Sequence, residues 1–290
     1  SSSTIPTWDS GFPVDMSFIN FPNSSASDNF NSSRLAGSRY LTPNQNYAEA
    51  SDGSQVWDSN VGHGKDYNSS AYSYMFRRAP GFMDVVTYTG TGSNQTVIHN
   101  LQAVPELIIV KKRSATNYWS TFANGVTSPN SNWYQNAMYL NIDSAASGFA
   151  GAFSSAPTST ALPFGSGTNV GASGATYIAF LFATLDGISK VGNYTGTGAN
   201  YGNSVNVDCG FTAGARFVMI KRTDSGGDWY FWDTLRGIAS GNDPYSLLNS
   251  YAAHVTNTDY IDPLNAGFTV TSSSGALNTL NATYLFLAIA

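Results

Sequence analysis

The sequence predicts an all-β protein built from three tandem sandwich or jelly-roll-like units. Two observations carry this. The first is composition. Only two Glu occur among 290 residues, Glu49 and Glu106, and Lys is nearly as scarce, whereas Ser, Thr and Asn together supply 91 residues and aromatics 14%. Helices draw freely on Glu and Lys, and strands on β-branched and aromatic residues. The second is internal repetition. Tyr88-Thr89-Gly90-Thr91-Gly92 returns as Tyr194-Thr195-Gly196-Thr197-Gly198, and Leu107-Ile108-Ile109-Val110-Lys111-Lys112 returns as Phe217-Val218-Met219-Ile220-Lys221-Arg222. Trp119 pairs with Trp229, Tyr139-Leu140 with Leu247-Leu248, and Ala175-Thr176-Tyr177-Ile178-Ala179-Phe180 with Ala282-Thr283-Tyr284-Leu285-Phe286-Leu287. Five landmarks in one order at a nearly constant offset mark a structural repeat.

The elements follow in order. Val85-Val86-Thr87-Tyr88 reads as an opening strand broken by two glycines. Residues 107–111, an apolar run after Pro105, suit a strand buried on both faces. Residues 176–184 and 283–290 are apolar throughout. Periodicity alone would also allow short buried helices there, but their aromatics and the preceding Gly or Asn favour strands. Residues 164–174 read as turns, and residues 144–147 and 251–254 as single helical turns. An earlier, diverged copy is expected at the start: Val14-Asp15-Met16-Ser17-Phe18-Ile19, then Ser33-Arg34-Leu35-Ala36-Gly37, which resembles Asp233-Thr234-Leu235-Arg236-Gly237, then Tyr40-Leu41, and Ser70-Ala71-Tyr72-Ser73-Tyr74-Met75-Phe76 at the close. It lacks the Tyr-Thr-Gly-Thr-Gly opening, so the sequence is expected to begin inside a unit. The expected units are 1–82, 83–187 and 188–290, with boundaries at Pro80-Gly81 and Asp186-Gly187.

Several function classes are disfavoured. A net charge of −5 and 11% charged residues do not suit nucleic acid, which needs a clustered basic face. One cysteine, Cys209, leaves no intrachain disulfide. No apolar run approaches a membrane-spanning length, so membrane insertion is not expected. Gly171-Ala172-Ser173-Gly174-Ala175 lacks the last glycine of a nucleophile elbow, and Gly90-x-Gly92 and Gly196-x-Gly198 lack the third glycine of a dinucleotide loop. His63, His99 and His254 have no second ligand at metal spacing and read as solvated or capping residues, so no metal or other cofactor is expected.

Candidate contacts remain. Asp224, Asp228 and Asp233 surround Trp229 and Trp232, a mixture of acids and flat rings that suits a sugar. The repeat assigns Trp119 and Trp229 first to the core. The basic runs Lys111-Lys112-Arg113 and Lys221-Arg222 read as solvated strand ends or ion-pair partners. Residues that differ between copies are better binding candidates. The second unit is expected to carry an extra loop, 124–136, with Trp133-Tyr134 among Ser, Asn, Pro and Gln, and Asp224, Asp228 and Trp232 are its counterpart in the third unit. No catalytic residue is assigned.

The succession of Tyr-Thr-Gly-Thr-Gly, Pro105-Glu106-Leu107-Ile108-Ile109-Val110-Lys111-Lys112-Arg113, a Trp strand, Tyr-Leu and Ser173-Gly174-Ala175-Thr176-Tyr177-Ile178-Ala179-Phe180 resembles an uncharacterised β-rich repeat of tailed-bacteriophage virion proteins, especially from phages of aquatic bacteria. Trp8-Asp9-Ser10-Gly11-Phe12-Pro13-Val14-Asp15-Met16 and Tyr74-Met75-Phe76-Arg77-Arg78-Ala79-Pro80-Gly81-Phe82 are similar to the same proteins. The resemblance implies a component of the extracellular virion, of tail-fibre type, that binds a host cell-surface glycan or protein without catalysis. It also implies contacts with other virion proteins and a homotrimer. The alternatives are a capsid-decoration or tail-shaft protein touching only virion proteins, and a polysaccharide-degrading tailspike.

Overall fold

The computed structural model describes residues 6–24, 27–53, 55–64, 71–198, 202–271 and 274–290. The protein is all-β, with antiparallel pairing throughout the described sheets and, among the described residues, two short 3-10 turns, Arg34–Ala36 and Trp133–Gln135. Residues 144–146 and 251–254 are irregular, and Ser147–Gly148 is a short strand, so the single helical turns expected at 144–147 and 251–254 are not formed.

The second and third units share one plan. An opening strand (Met83–Thr89; Ser189–Thr195) pairs with a closing strand (Thr176–Phe182; Thr283–Ile289). The closing strand then pairs with a buried strand (Leu107–Lys112; Phe217–Arg222). A Trp strand follows (Trp119–Ala123; Trp229–Asp233), then a short one (Asn136–Tyr139; Ser246–Leu247). The registers coincide: Lys111 faces Trp119 and Ile178 across its neighbours, and Lys221 faces Trp229 and Leu285. A smaller sheet covers the outer face, from Gln95–Ile98 with Ala161–Phe164 in one unit and Val205–Asp208, Gly267–Val270 and Ile261–Leu264 in the other.

Among the described residues the first unit repeats this plan without an opening strand; Ser70 of the expected closing run lies outside the described residues. Its sheet runs Phe30–Ser33, Met16–Asn20, Tyr72–Phe76, matching the Trp, buried and closing strands. Trp8–Asp9 pairs with Gly62–His63 as the outer sheet, and Arg39–Tyr40 with Ala50–Ser51 as the short strands. The chain passes from one closing strand to the next opening strand through tight turns. Ala79 N–H donates to Met83 O at 3.0 Å and Leu185 N–H to Ser189 O at 3.1 Å. Gly81 and Gly187 sit in them at φ of +77° and +71°, where an L side chain would be strained.

The sheets use both faces. The outer face of each of the two later units closes on its own small sheet: Ile108, Phe122, Tyr177 and Phe164 in the second, and Val218, Trp232, Tyr284 and Phe268 in the third. The inner faces of all three units meet in one shared core that joins Met16 and Phe18, Ile109, Trp119 and Phe180, and Met219, Trp229 and Leu287. The units are therefore closed around a common centre and not strung out along a line. Apolar rings dominate that centre because their area removed from water, at roughly 25 cal/mol per Å², is the largest per residue.

The ring closes by equivalent hydrogen bonds. Trp119 Nε1–H donates to the carbonyls of Thr42 and Gln45 of the first unit, both at 3.1 Å. Trp229 Nε1–H donates to the Tyr139 carbonyl of the second at 2.9 Å. Asn29 of the first unit reaches the third, its Nδ2 lying 3.1 Å from the carbonyl oxygens of Leu247 and Ser250. The backbone N–H at each of these positions is capped by a side-chain amide oxygen: Asn44 for Asn29, Asn141 for Trp119 and Asn249 for Trp229.

The repeated motifs find their reasons here. Tyr88 stacks on Tyr177 and Tyr194 on Tyr284. A Cβ at Gly90 would lie 2.3 Å from Ala172 O, and one at Gly196 would lie 2.1 Å from Thr279 O, so only glycine lets these turns approach. Trp119, Trp229, Tyr177 and Tyr284 are fully buried, as the repeat predicts. Two expectations are corrected. Lys111 and Lys221 are buried, not solvated strand ends: their ammonium groups donate to Lys112 O at 2.9 Å and to Gly227 O at 2.6 Å. His63 is also buried, stacked on Trp57 with its Nε2 3.2 Å from Ser73 Oγ, whereas His99, buried with Nε2 3.1 Å from Thr158 O, accepts the Leu101 N–H at Nδ1 and so has the capping role expected of it.

Candidate functional site

The loop after the Trp strand, expected as an extra of the second unit, has a counterpart at 234–245 of the third, and the two differ in sequence. The chain leaves the Trp strand at Ala123 and enters loop 124–136, which runs along the seam. Asn193 of the third unit's opening strand donates from Nδ2 to Asn124 O at 2.8 Å and lies tightly against Gly125, whose φ of +87° turns the loop. The Asn136 side chain then gathers the loop onto itself, donating to Val126 O at 2.7 Å and accepting from Asn130 N–H at 2.9 Å. The result is a cleft of about 400 Å³ between the two units. Its walls are Gly125, Val126, Thr127 and Ser128 from the loop and Asn193, Thr195, Thr223, Asp224 and Thr283 from the third unit. Ala146 and Tyr194 complete the lining, so apolar surface stands beside hydroxyls and amides that can both donate and accept, with one carboxylate.

The expected contact residues divide around this cleft. Asp224 lines it and forms an ion pair with Arg222 at 2.9 Å. Burial pushes the Asp224 carboxyl up, but its hydrogen bonds and the charge of Arg222 outweigh that and hold it below the usual carboxylate range. Trp133 lines a separate hollow of about 290 Å³ on the other side of the loop, with Val104, Glu106, Asn124 and Thr184. Trp133 and Tyr134 are both half-buried and pack on the outer core of their own unit, Tyr134 edge-on to Phe153 at 6.4 Å. Asp228 does not line the cleft; it accepts a hydrogen bond from Asn249 Nδ2 at 2.8 Å. Trp232 is removed as a surface contact. It is fully buried in the third unit's sandwich, stacked on Tyr230, because it alternates with Phe231 on a strand whose two faces are both covered.

Apart from Asp224, the polar side chains of the cleft are neutral. Each acid that clusters in the sequence is held locally: Asp224 by Arg222, Asp228 by Asn249, and Asp233 by Arg236 at 2.7 Å. The carboxyl pushed up to about 6 by burial, Asp243, is enclosed and accepts from the Ala239 and Ile261 N–H groups. No group of three or more His, Cys, Asp or Glu that could hold a metal ion occurs among the described residues. No described helix is long and apolar enough to cross a membrane.

Sequence reasoning missed Asn193, Thr223 and Thr283, which line the cleft from strands and strand ends of the repeat. The signal for Asn193 was present: Asn193 interrupts the third unit's opening strand where the second unit has Thr87.

No curated protein and no solved structure matches the chain. A family model described as a domain of unknown function, DUF7483, matches residues 76–290, which take in the second and third units and the seam between them. The chain therefore belongs to the DUF7483 family.

Proposed function

We propose that the chain is a non-catalytic binding component of a virion surface, of tail-fibre type, and that it recognises a host cell-surface glycan. The observation that carries the reading is the seam cleft. It is built by a loop whose counterpart in the third unit, residues 234–245, differs in sequence, and its polar groups are hydroxyls, amides and one carboxylate. Such a lining matches the donors and acceptors of sugar hydroxyls. The resemblance of the repeat to tailed-phage virion proteins supports the setting, and a glycan is the partner class that a low-charge surface suits.

The test is binding of the purified chain to a panel of bacterial surface polysaccharides, followed by adsorption of particles carrying variants. Asp224→Ala with Thr127→Val, an exposed residue of the cleft wall, is expected to weaken binding at least tenfold while the melting curve stays in place. Trp133→Ala and Tyr134→Ala together are expected to have a smaller effect on adsorption, because both rings already pack on their own unit. Wild-type binding by the cleft variant would sink the site. Failure of the wild-type chain to bind any cell surface, with hundreds of copies per particle, would move the reading to a decoration or shaft protein.

A further inference from the structure

The three sheets differ at one edge. The closing strand of the second unit is covered on its outer edge by Met83–Thr89, and that of the third by Ser189–Thr195. The first unit has a counterpart for every other strand of its inner sheet, yet the sheet ends at Tyr72–Phe76, and no strand among the described residues pairs with that edge. In the other units the covering strand fills space as well as pairing. Met83, Val85 and Val191 insert into the shared core. At the corresponding place of the first unit there is an open hollow of about 640 Å³ with a largely apolar wall that includes Phe12, Phe76, Phe82, Phe217, Leu235 and Ile289.

The far wall of the hollow has the right identity. Each opening strand lies against the turn that follows the Trp-type strand of the preceding unit. Met83–Thr89 touches Arg34–Ala36, and Asn193 bonds to Asn124 O. In the closed ring the corresponding turn for the first unit is Asp233-Thr234-Leu235, and these three residues line the hollow. Leu235 is 80% exposed, and among the described residues no strand runs where an opening strand would lie. An unpaired sheet edge presents free N–H and C=O groups, and an apolar trough beside it supplies pockets for alternate side chains, which together make a strand-addition site.

We infer that the Tyr72–Phe76 edge is a strand-acceptor site. Its occupant is an extended partner segment of opening-strand chemistry: antiparallel, β-branched or apolar at the positions that face the core, and carrying no charge there. The two internal opening strands define that chemistry.

Hydrogen exchange on the full chain tests this, with the synthetic peptide MDVVTYTGTG (residues 83–92) as probe. The peptide is expected to bind saturably at one site and to slow exchange of the backbone amides of residues 72–76. A peptide with V85D, which places a charge at a core-facing position, should bind at least tenfold more weakly. So should the wild-type peptide to a Leu235→Asp chain, whose own melting temperature stays unchanged because that side chain is exposed. Absence of added protection in 72–76 at the peptide's solubility limit would overturn the inference. So would equal binding of the V85D peptide, or protection that grows with chain concentration alone, which would make a second copy the occupant.

Discussion

The first unit and the two later ones solve the same joint with different side chains. At the position that ties each unit to the preceding one, the second and third units place a tryptophan opposite a buried lysine, Trp119 with Lys111 and Trp229 with Lys221. The first places Asn29 opposite Asn20, whose amide donates to the Asn29 Oδ1 at 2.9 Å. An indole and a carboxamide share one property, an N–H donor that reaches a carbonyl of the neighbouring unit. The joint therefore demands the donor, and the ring is the means by which two of the three units also fill the core. The seam between the third unit and the first makes up the difference with charge. Arg236 bonds to Asp233, Asn20 and Tyr74, and the Tyr74 hydroxyl donates to Asp233 at 2.6 Å.

The strongest way to break this comparison is Trp229→Ala. It removes a ring from the shared core and a bond to the Tyr139 carbonyl, and is expected to cost about 3–5 kcal/mol in denaturant unfolding. Trp119→Ala should cost a similar amount, and a loss under about 1 kcal/mol for either would show that the rings are not what the joint depends on. Asn29→Ala is expected to cost less, about 1–3 kcal/mol, because it strands neighbouring carbonyls without opening a large cavity. A cost equal to that of the tryptophans would mean that the donor outweighs the ring.

The lysines sharpen the contrast through pH. Burial pulls Lys111 and Lys221 down to about 8, from an ordinary value of 10.5. Between those values the unfolded chain holds more protons than the folded one, so these groups make stability rise with pH across that window. Subtracting the profile of a Lys221→Met variant from that of the wild type should reveal this slope, and a flat difference would contradict the buried lysine. The smallest expected effect lies in the first unit. Burial first, and then the charge of Arg34, lower His63 to about 4. The unfolded chain takes up that proton at higher pH, so the His63 contribution to stability declines as pH falls from about 6.5 towards 4. Asp243, raised to about 6, contributes the opposite slope between 3.8 and 6. A His63→Asn variant should therefore lose less stability on acidification than the wild type, measured relative to its own value at neutral pH.

Much of the fold was legible because repeated residues occupy equivalent places. Tyr88 and Tyr194, Gly90 and Gly196, and the two tryptophans each meet the same neighbour in their own unit. The Asn141 and Asn249 caps follow the recognised Tyr139-Leu140 and Leu247-Leu248 landmarks directly and were readable by the same comparison. The lysines and His63 were misread because a charge suggests water, and only the folded chain shows backbone carbonyls or an aromatic neighbour waiting for them. The candidate site was half legible. Asp224 was found because it lies where the copies diverge, whereas Asn193 and Thr283 belong to the repeated strands and acquire a role only when another unit's loop lies across them.

The sequence by itself determined the strands, their repeat and the need to bury residues 107–111 on both sides. Those are local matters of side-chain volume, β-propensity and turn glycines. Which surface would cover the second face was a tertiary decision. One face found its own small sheet, and the other found two neighbouring units, because three apolar sheets can all leave water at once only by closing around a common core.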